Sequence, residues 1–211
     1  MIDHSDNRRN VGGRARDLVA ELGTTYAAEA GIRLADKPSP LYQLHVLATL
    51  LSARISATIA VAAARELFAA GMRTPAKMSG ASWQERVDAL GRGHYKRYDE
   101  RTATMLGDAA ERLGGNWGGD LRKLRDEADG DPDAIARQLT TFPGIGPSGA
   151  SIFLREVQET WPCVAPYVDS RMRAGARKAG LPAGQGELAT VVADSPHPAA
   201  LAAALVRLSL Q

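Results

Sequence analysis

The sequence predicts an all-α protein. Of its 211 residues, 45% are hydrophobic but only 5% are aromatic, so one class of residues that favours β-strands is scarce. Ala, Leu and Arg, which have good helix propensity, are abundant instead. Hydrophobic residues also recur at helical spacing, most clearly in the stripe Leu44, Leu47, Leu50 and Leu51. We therefore expect a structure of helices packed against helices.

Proline, glycine and capping residues divide the chain into successive helices. Pro38 and Pro40 mark the start of the helix that carries the leucine stripe, and we expect this helix to be central. Ser56 can cap the next helix, and the glycine-rich run Gly114–Gly119 predicts a loop. The predicted helices cover about residues 13–30, 41–51, 56–69, 75–80, 82–91, 96–113, a segment that ends at 139, 147–159, 169–179, 186–193 and 198–210.

Charge and cysteine content limit the possible functions. The net charge of +2 is compatible with nucleic-acid binding but does not require it, so such binding needs a local basic face. The single cysteine, Cys163, excludes an internal disulfide and four-cysteine zinc or iron–sulfur sites, and its simplest role is that of a small buried residue. We expect no signal peptide, no membrane span and a reducing, cytoplasmic location, with the nucleoid if the source is bacterial.

A tight turn between two predicted helices is the most specific pattern in the chain, and it consists of Phe142-Pro143-Gly144-Ile145-Gly146. Gly144 and Gly146 permit positive φ angles and a close backbone approach, and Ile145 would anchor the turn in the core. The second helix would present free N–H groups around Gly146, Ser148 and Gly149, which suit a phosphate. Such a contact binds a DNA backbone without reading its sequence. A plain turn between two helices is the alternative.

Three motifs in matching order resemble the endonuclease III superfamily of helix-hairpin-helix DNA glycosylases, over roughly residues 40–180. The hairpin is similar to the family's leucine-proline-glycine-valine-glycine, and Asp169, 21 residues after Ser148, corresponds to the aspartate that follows it. The segment from Leu90 to Tyr98 is similar to the family's isoleucine-glycine-leucine-tyrosine turn. A segment similar to the family's leucine-leucine-serine-alanine-glutamine reads Leu50-Leu51-Ser52-Ala53-Arg54.

The resemblance implies a bilobal all-α fold, with an active site in the cleft between the lobes. The expected partner is double-stranded DNA that carries a lesion, and the expected state is a monomer. The central helical lobe would hold residues 39–138, and residues 1–11 would form a disordered N-terminus. The terminal lobe would combine 12–38 with 139–211 and include the hairpin region, 139–158.

A monovalent cation is also implied by the resemblance. In the family, carbonyl oxygens of the hairpin hold such an ion when DNA is bound. The matching positions here are Thr140, Phe142 and Ile145, so Na⁺ or K⁺ is a possible ligand of the hairpin. No cofactor is required, and no cysteine follows Cys163 to hold the iron–sulfur cluster of one subgroup of the family.

Asp169 matches the family's catalytic aspartate. Breaking a base–sugar bond builds positive charge on the deoxyribose, and a nearby carboxylate can stabilise that charge and activate water. Asp169 is equally a plausible N-cap for the helix that begins at Ser170, and both roles can hold together. Many family members have a histidine two residues after the aspartate, where this chain departs from the pattern with Arg171.

Ser148 restricts the expected chemistry. Bifunctional members of the family carry a lysine two residues after the second hairpin glycine, where this chain has Ser148. Because a hydroxyl cannot form an imine, we expect a monofunctional glycosylase that uses water, leaves an abasic site and lacks efficient lyase activity. Ala48 stands where adenine-removing members have a glutamate, which argues against a standard adenine glycosylase.

Two further sets of residues are candidates for contact with DNA. An extruded base leaves a gap that a side chain can fill, and Arg54, at the position of the family's inserted glutamine, is the candidate; a solvated arginine is the alternative. His94, Tyr95 and Tyr98 either line the base pocket or pack between helices. Basic residues that could contact phosphates near these positions are Arg92, Lys96, Arg97, Arg171 and Arg173.

Two other classes of function stay open at this point. The first is a non-catalytic helix-hairpin-helix DNA-binding protein, which would bind a lesion duplex without releasing a base. The second is an unrelated helical scaffold or partner-binding protein, which would have no salt-sensitive affinity for DNA.

Overall fold

The computed structural model describes residues 4–211, with side chains described from Asn10 onward. This part of the chain forms thirteen α-helices and no strand, which confirms the all-α prediction. The helices are α1 His4–Leu22, α2 Tyr26–Glu29, α3 Pro38–Leu51, α4 Ala57–Ala69, α5 Pro75–Gly80, α6 Trp83–Arg92, α7 Asp99–Trp117, α8 Leu121–Glu127, α9 Pro132–Leu139, α10 Pro147–Val157, α11 Ser170–Lys178, α12 Gln185–Ala193 and α13 Pro198–Leu210. Within the described residues, none of these helices is long and apolar enough to cross a membrane.

The helices pack into two compact units. One combines the residues up to Tyr26 with Leu154–Gln211, and the other is formed by Ala27–Phe153, so the division falls within α10. The sequence-based division instead placed its boundaries at 38/39 and 138/139. Of the N-terminal segment predicted to be disordered, residues 1–3 lie outside the described residues and residues 4–11 belong to α1.

The unit formed by Ala27–Phe153 is built around α3. Nine residues of this helix between Leu41 and Leu50 are buried, which confirms that it is central. Leu44, Leu47 and Leu50 are fully buried, and Leu51, at the helix end, is half-buried. Because nearly every residue between Leu41 and Leu50 is buried, α3 is enclosed on all sides and not only along the leucine stripe.

The other unit is built around a close contact between α11 and α13. Gly175 lies in the middle of α11, and a Cβ atom there would lie only 1.9 Å from the carbonyl oxygen of Leu205. Met172 and Ala176 on the same helix are fully buried in the core that this contact creates. The absence of a side chain at Gly175 therefore lets the two backbones touch.

Three local predictions differ from the structure. The helix predicted over 13–30 is divided at Gly23, whose N–H donates to the carbonyl of Val19 at the end of α1. The predicted loop at 114–119 is wrong for residues 114–117, because α7 continues to Trp117; only Gly118, with φ +61°, and Gly119 form a turn. Cys163 is exposed, not buried, because it lies in a turn after α10.

Candidate functional site

The hairpin forms as a tight turn between α9 and α10. Thr140 caps the C-terminus of α9, and α10 begins at Pro147, a residue suited to the first helical position. The N–H of Ile145 donates to the carbonyl of Phe142 over 3.2 Å. Gly144 has φ +85°, a conformation that other residues rarely adopt. The backbone conformation at this position favours glycine, and the sequence supplies it.

Aromatic packing fixes one side of the hairpin to its unit. Phe142 is 2% exposed, and its ring lies edge-on to the ring of His45, with 4.7 Å between the ring centres. Trp117 packs on the same ring at 5.4 Å, and the Arg112 guanidinium lies 6.0 Å from the ring centre. Ile145 is also buried, as predicted. The turn is thus held by side chains from α3 and α7.

The end of α3 holds the other side of the hairpin. The hydroxyl of Ser52 donates to the carbonyl of Gly144 over 3.0 Å. A Cβ at Gly149 would lie 3.3 Å from the Cβ of Ser52, so Gly149 allows α10 to approach α3 closely. The structure therefore joins two motifs that are 92 residues apart. The role of Ser52 was not predicted from the sequence, although a polar residue at the end of an apolar helix is a signal that could have indicated it.

The N-terminus of α10 has the features that suit an anion. No acidic residue occupies its first turn, and Ser148 is exposed there. The first N–H groups of a helix have no partner inside the helix and carry partial positive charge. Gly149 is buried against α3, so its contribution is steric and lets the backbone come close. Phosphate binding by this turn stays a prediction, and the part assigned to Gly149 is corrected, because Gly149 faces α3 and not a ligand.

The carbonyl groups that are predicted to hold a cation accept few hydrogen bonds from the protein. Among the described residues, the carbonyls of Thr140 and Ile145 accept no hydrogen bond, and the carbonyl of Phe142 accepts only the N–H of Ile145 within the turn. A carbonyl oxygen has two lone pairs. All three oxygens therefore retain the capacity to bind a monovalent cation.

Arg54 lies in the short connection between α3 and α4. It is exposed, and it forms no hydrogen bond or ion pair with any residue that the structure describes. It is two residues from Ser52, which binds the hairpin. Arg54 is therefore free to interact with a ligand near the hairpin.

The structure does not bring the three candidate pocket residues to one surface. His94 is exposed with φ +63°, whereas Tyr95 is 1% exposed and its hydroxyl accepts a hydrogen bond from Thr102. Burial raises the pKa of the Tyr95 hydroxyl. Tyr98 is half-buried beneath the Arg97 guanidinium, which lies 5.2 Å from its ring. Tyr95 thus packs between helices and offers no face to a base in this structure.

Asp169 lies at the N-terminus of α11 and is engaged at both carboxylate oxygens. Oδ1 accepts the N–H of Met172 over 2.9 Å, which is the predicted N-cap. Oδ2 forms an ion pair with Arg155 of α10. The pair is shielded from water, because the exposed fractions of the two side chains are 13% for Asp169 and 9% for Arg155. Sequence reasoning missed Arg155, although a basic residue in the apolar run of α10 is a signal that could have indicated it.

The backbone that leads into Asp169 is also fixed by side chains. Gln158 accepts the N–H of Tyr167 over 3.1 Å, and Gln185 donates to the carbonyl of Val168 over 3.2 Å. On α11, Arg173 donates to the carbonyl of Ala183, while Arg171 is exposed. The Asp169 carboxylate is therefore held rigidly, next to a helix that contains four basic and no acidic residues.

A comparison with solved structures gives a match over nearly the whole chain. A trapped endonuclease III–DNA covalent intermediate, described as an estranged-adenine complex, is similar with a TM-score of 0.55, and the match covers 98% of this chain and 85% of that one. The chain has the endonuclease III fold. The sequence identity to this endonuclease III structure is 15%, so the similarity is one of fold. No protein-family model matches this chain, and no curated protein sequence matches it.

Proposed function

We propose that this protein is a monofunctional DNA glycosylase that acts in base excision repair. It hydrolyses the N-glycosidic bond of a damaged or mispaired base that has been extruded from double-stranded DNA. The observation that carries this proposal is the rigidly held Asp169 carboxylate, which follows a glycine hairpin in a chain with the endonuclease III fold. The similar solved structure is itself a DNA complex.

DNA binding is assigned to the hairpin and to the connection between α3 and α4. The N-terminus of α10, around Gly146 and Ser148, would bind a phosphate. Gly144 and Gly149 would contribute indirectly, since they let the hairpin and α10 pack closely on neighbouring protein atoms. The carbonyls of the turn would hold Na⁺ or K⁺, whose positive charge would strengthen the attraction for the same phosphate. Arg54 would fill the gap left by the extruded base.

The chemistry is assigned to Asp169 and water. The bond between the base nitrogen and C1′ of the deoxyribose breaks, the base leaves with the bonding electrons, and it gains a proton. The carboxylate of Asp169 stabilises the positive charge on the sugar and orients the water that adds to C1′. The products are a free base and an abasic site in an intact strand.

A non-catalytic helix-hairpin-helix DNA-binding protein is the second candidate. One observation favours it: both oxygens of Asp169 already have partners in this structure. A carboxylate in such a position can act solely as a helix cap and an ion-pair partner. The two candidates differ in whether any base is released.

Asp169→Asn tests the proposed activity. A panel of duplexes, each with one type of lesion or mismatch, is scored for base release under single-turnover conditions. We expect the wild type to release at least one base and the variant to be slower by about 100-fold or more, because a neutral amide does not stabilise the cationic sugar. Asparagine is as good an N-cap as aspartate, but it leaves the shielded Arg155 without its charge partner and is expected to lower stability, so rates are compared per folded molecule.

Asp131→Asn is the matched control. Asp131 caps α9 in the same way, through the N–H of Ala134, and its replacement should leave base release unchanged. If the wild type binds the duplexes in a salt-dependent manner but releases no base, the chain is the non-catalytic DNA-binding protein. If it shows no salt-dependent binding, both candidates are wrong.

Ser148 leads to a prediction about the product. Because serine cannot form an imine with the sugar, borohydride should trap no covalent protein–DNA adduct during the reaction. The strand should break only after alkali or heat is applied to the abasic product. Efficient strand cleavage by the purified protein alone would contradict the monofunctional assignment.

A further inference from the structure

The ion pair between Arg155 and Asp169 has no assigned role in the proposed reaction. Arg155 belongs to α10, is buried, and directs its guanidinium at Oδ2 of Asp169. Taking an arginine out of water is costly unless it is paired and hydrogen-bonded. A buried arginine with a single carboxylate partner therefore indicates that the position of that carboxylate matters to the structure or to the function.

Arg155 reaches Asp169 from a fixed position. Its own carbonyl accepts the side-chain amide of Gln158 over 3.1 Å. The oxygen of the same Gln158 side chain accepts the N–H of Tyr167, two residues before Asp169. One glutamine thus ties the helix that carries the guanidinium to the segment that carries the carboxylate.

The hydrogen-bonding capacity of the carboxylate is only partly used. Two carboxylate oxygens offer about four lone-pair sites, and Met172 and Arg155 occupy one each. The remaining lone pairs have directions that are set by these two partners. A water molecule or a sugar that binds next to the carboxylate therefore contacts a carboxylate with one fixed orientation.

We propose that Arg155 is a positioning residue for the glycosylase reaction, acting through the carboxylate of Asp169. This inference rests on the proposed function. Arg155 holds Oδ2, while the N-terminus of α11 holds Oδ1, so that the carboxylate does not rotate as the substrate binds. Arg155 also balances the charge of Asp169 at long range, which reduces the repulsion between this carboxylate and DNA phosphates.

The test uses Arg155→Met and Arg155→Lys on a lesion that the wild type processes. We expect Arg155→Met to slow the single-turnover rate on the order of 10- to 100-fold, because misplacement of a reacting group by about 1 Å has an effect of this size. It should also weaken DNA binding. Arg155→Lys should recover part of both losses, because lysine keeps the charge but lacks the planar geometry.

A double variant separates positioning from general stability. If Arg155 acts through Asp169, adding Arg155→Met to Asp169→Asn should produce little further loss of rate. Arg125→Met is the matched control, since Arg125 is a shielded arginine with side-chain exposure of 19% that pairs with Asp36 and Asp126 in the other unit. It should lower thermal stability without slowing base release per folded molecule.

The outcomes distinguish a failure of the role proposed for Arg155 from a failure of the glycosylase assignment. An active wild type with an equally active Arg155→Met variant, corrected for the folded fraction, would overturn the role of Arg155 and leave the glycosylase assignment intact. A further loss of rate in the double variant as large as in the single one would also overturn it. A wild type inactive on the whole panel would overturn both.

Discussion

Gly175→Ala is expected to destabilise the unit that contains α11 and α13 by about 3 kcal/mol. The added Cβ would lie 1.9 Å from the carbonyl oxygen of Leu205 and 2.6 Å from its carbonyl carbon. These are backbone atoms of a helix, so they cannot move aside as a flexible side chain would. The two helices would have to separate, which would open the core around Met172 and Ala176.

Thermal unfolding measures this effect. For a chain of this size, we expect the Tm to fall by roughly 10 °C. Gly114→Ala is the matched control, because Gly114 lies within α7 and a Cβ added there would have no atom within 4 Å beyond its own stretch of helix. That substitution should raise stability by about 0.5–1 kcal/mol, since alanine favours the helix. Equal stability of Gly175→Ala and the wild type would show that α11 and α13 do not touch as described.

Acidification from pH 7 to pH 4 is expected to remove about 3 kcal/mol of stability through His45 alone. His45 is buried in α3 between the rings of Tyr42 and Phe142, and neither ring nitrogen has a hydrogen-bond partner among the described residues. Burial lowers the pKa of His45 from 6.5 to about 4. The folded chain therefore keeps this imidazole neutral over a pH range in which the unfolded chain protonates it.

The sign of the pH dependence follows from this difference in protonation. Between pH 6.5 and pH 4, the unfolded state binds a proton that the folded state does not, so stability falls as the pH falls. Above about pH 6.5 the contribution is fully present. Because His45 packs on Phe142, the hairpin belongs to the part of the molecule that acid would loosen.

His45→Leu isolates this contribution from that of the acidic side chains. The free energy of unfolding is measured by urea denaturation at several pH values between 4 and 7. Relative to the wild type, the variant should gain about 2–3 kcal/mol as the pH falls across this range. His94→Asn is the control, because His94 is exposed and asparagine tolerates its positive φ. Parallel pH curves for the wild type and His45→Leu would contradict the prediction.

Local sequence signals predicted the local features of the molecule. The helix spans 75–80 and 198–210 coincide with α5 and α13, and Asp169 caps α11 as its position before Ser170 indicated. The left-handed backbone at Gly144 is one that glycine permits, whereas Gly146 does not adopt it. These features depend on neighbours within a few residues, so spacing and residue chemistry are sufficient to predict them.

Tertiary packing overrode a local signal at one place and decided between two alternatives at another. The glycine-rich run after Leu113 remains helical to Trp117, whose ring packs on Phe142. Glycine destabilises a helix by only about 1 kcal/mol relative to alanine, and the burial of large side chains exceeds this amount. Tyr95 was assigned either to a base pocket or to the packing between helices, and its position in the core follows from its neighbours.

The sequence by itself determined that the chain is helical, where the hairpin lies, and which aspartate follows it at the spacing of the endonuclease III superfamily. Only the tertiary structure placed Ser52 on the hairpin carbonyl and Arg155 on Asp169, and it showed how closely α11 approaches α13. The physical reason is that these contacts join residues that are distant along the chain or on different helices. Their formation depends on how complete helices pack, which periodicity and capping do not specify.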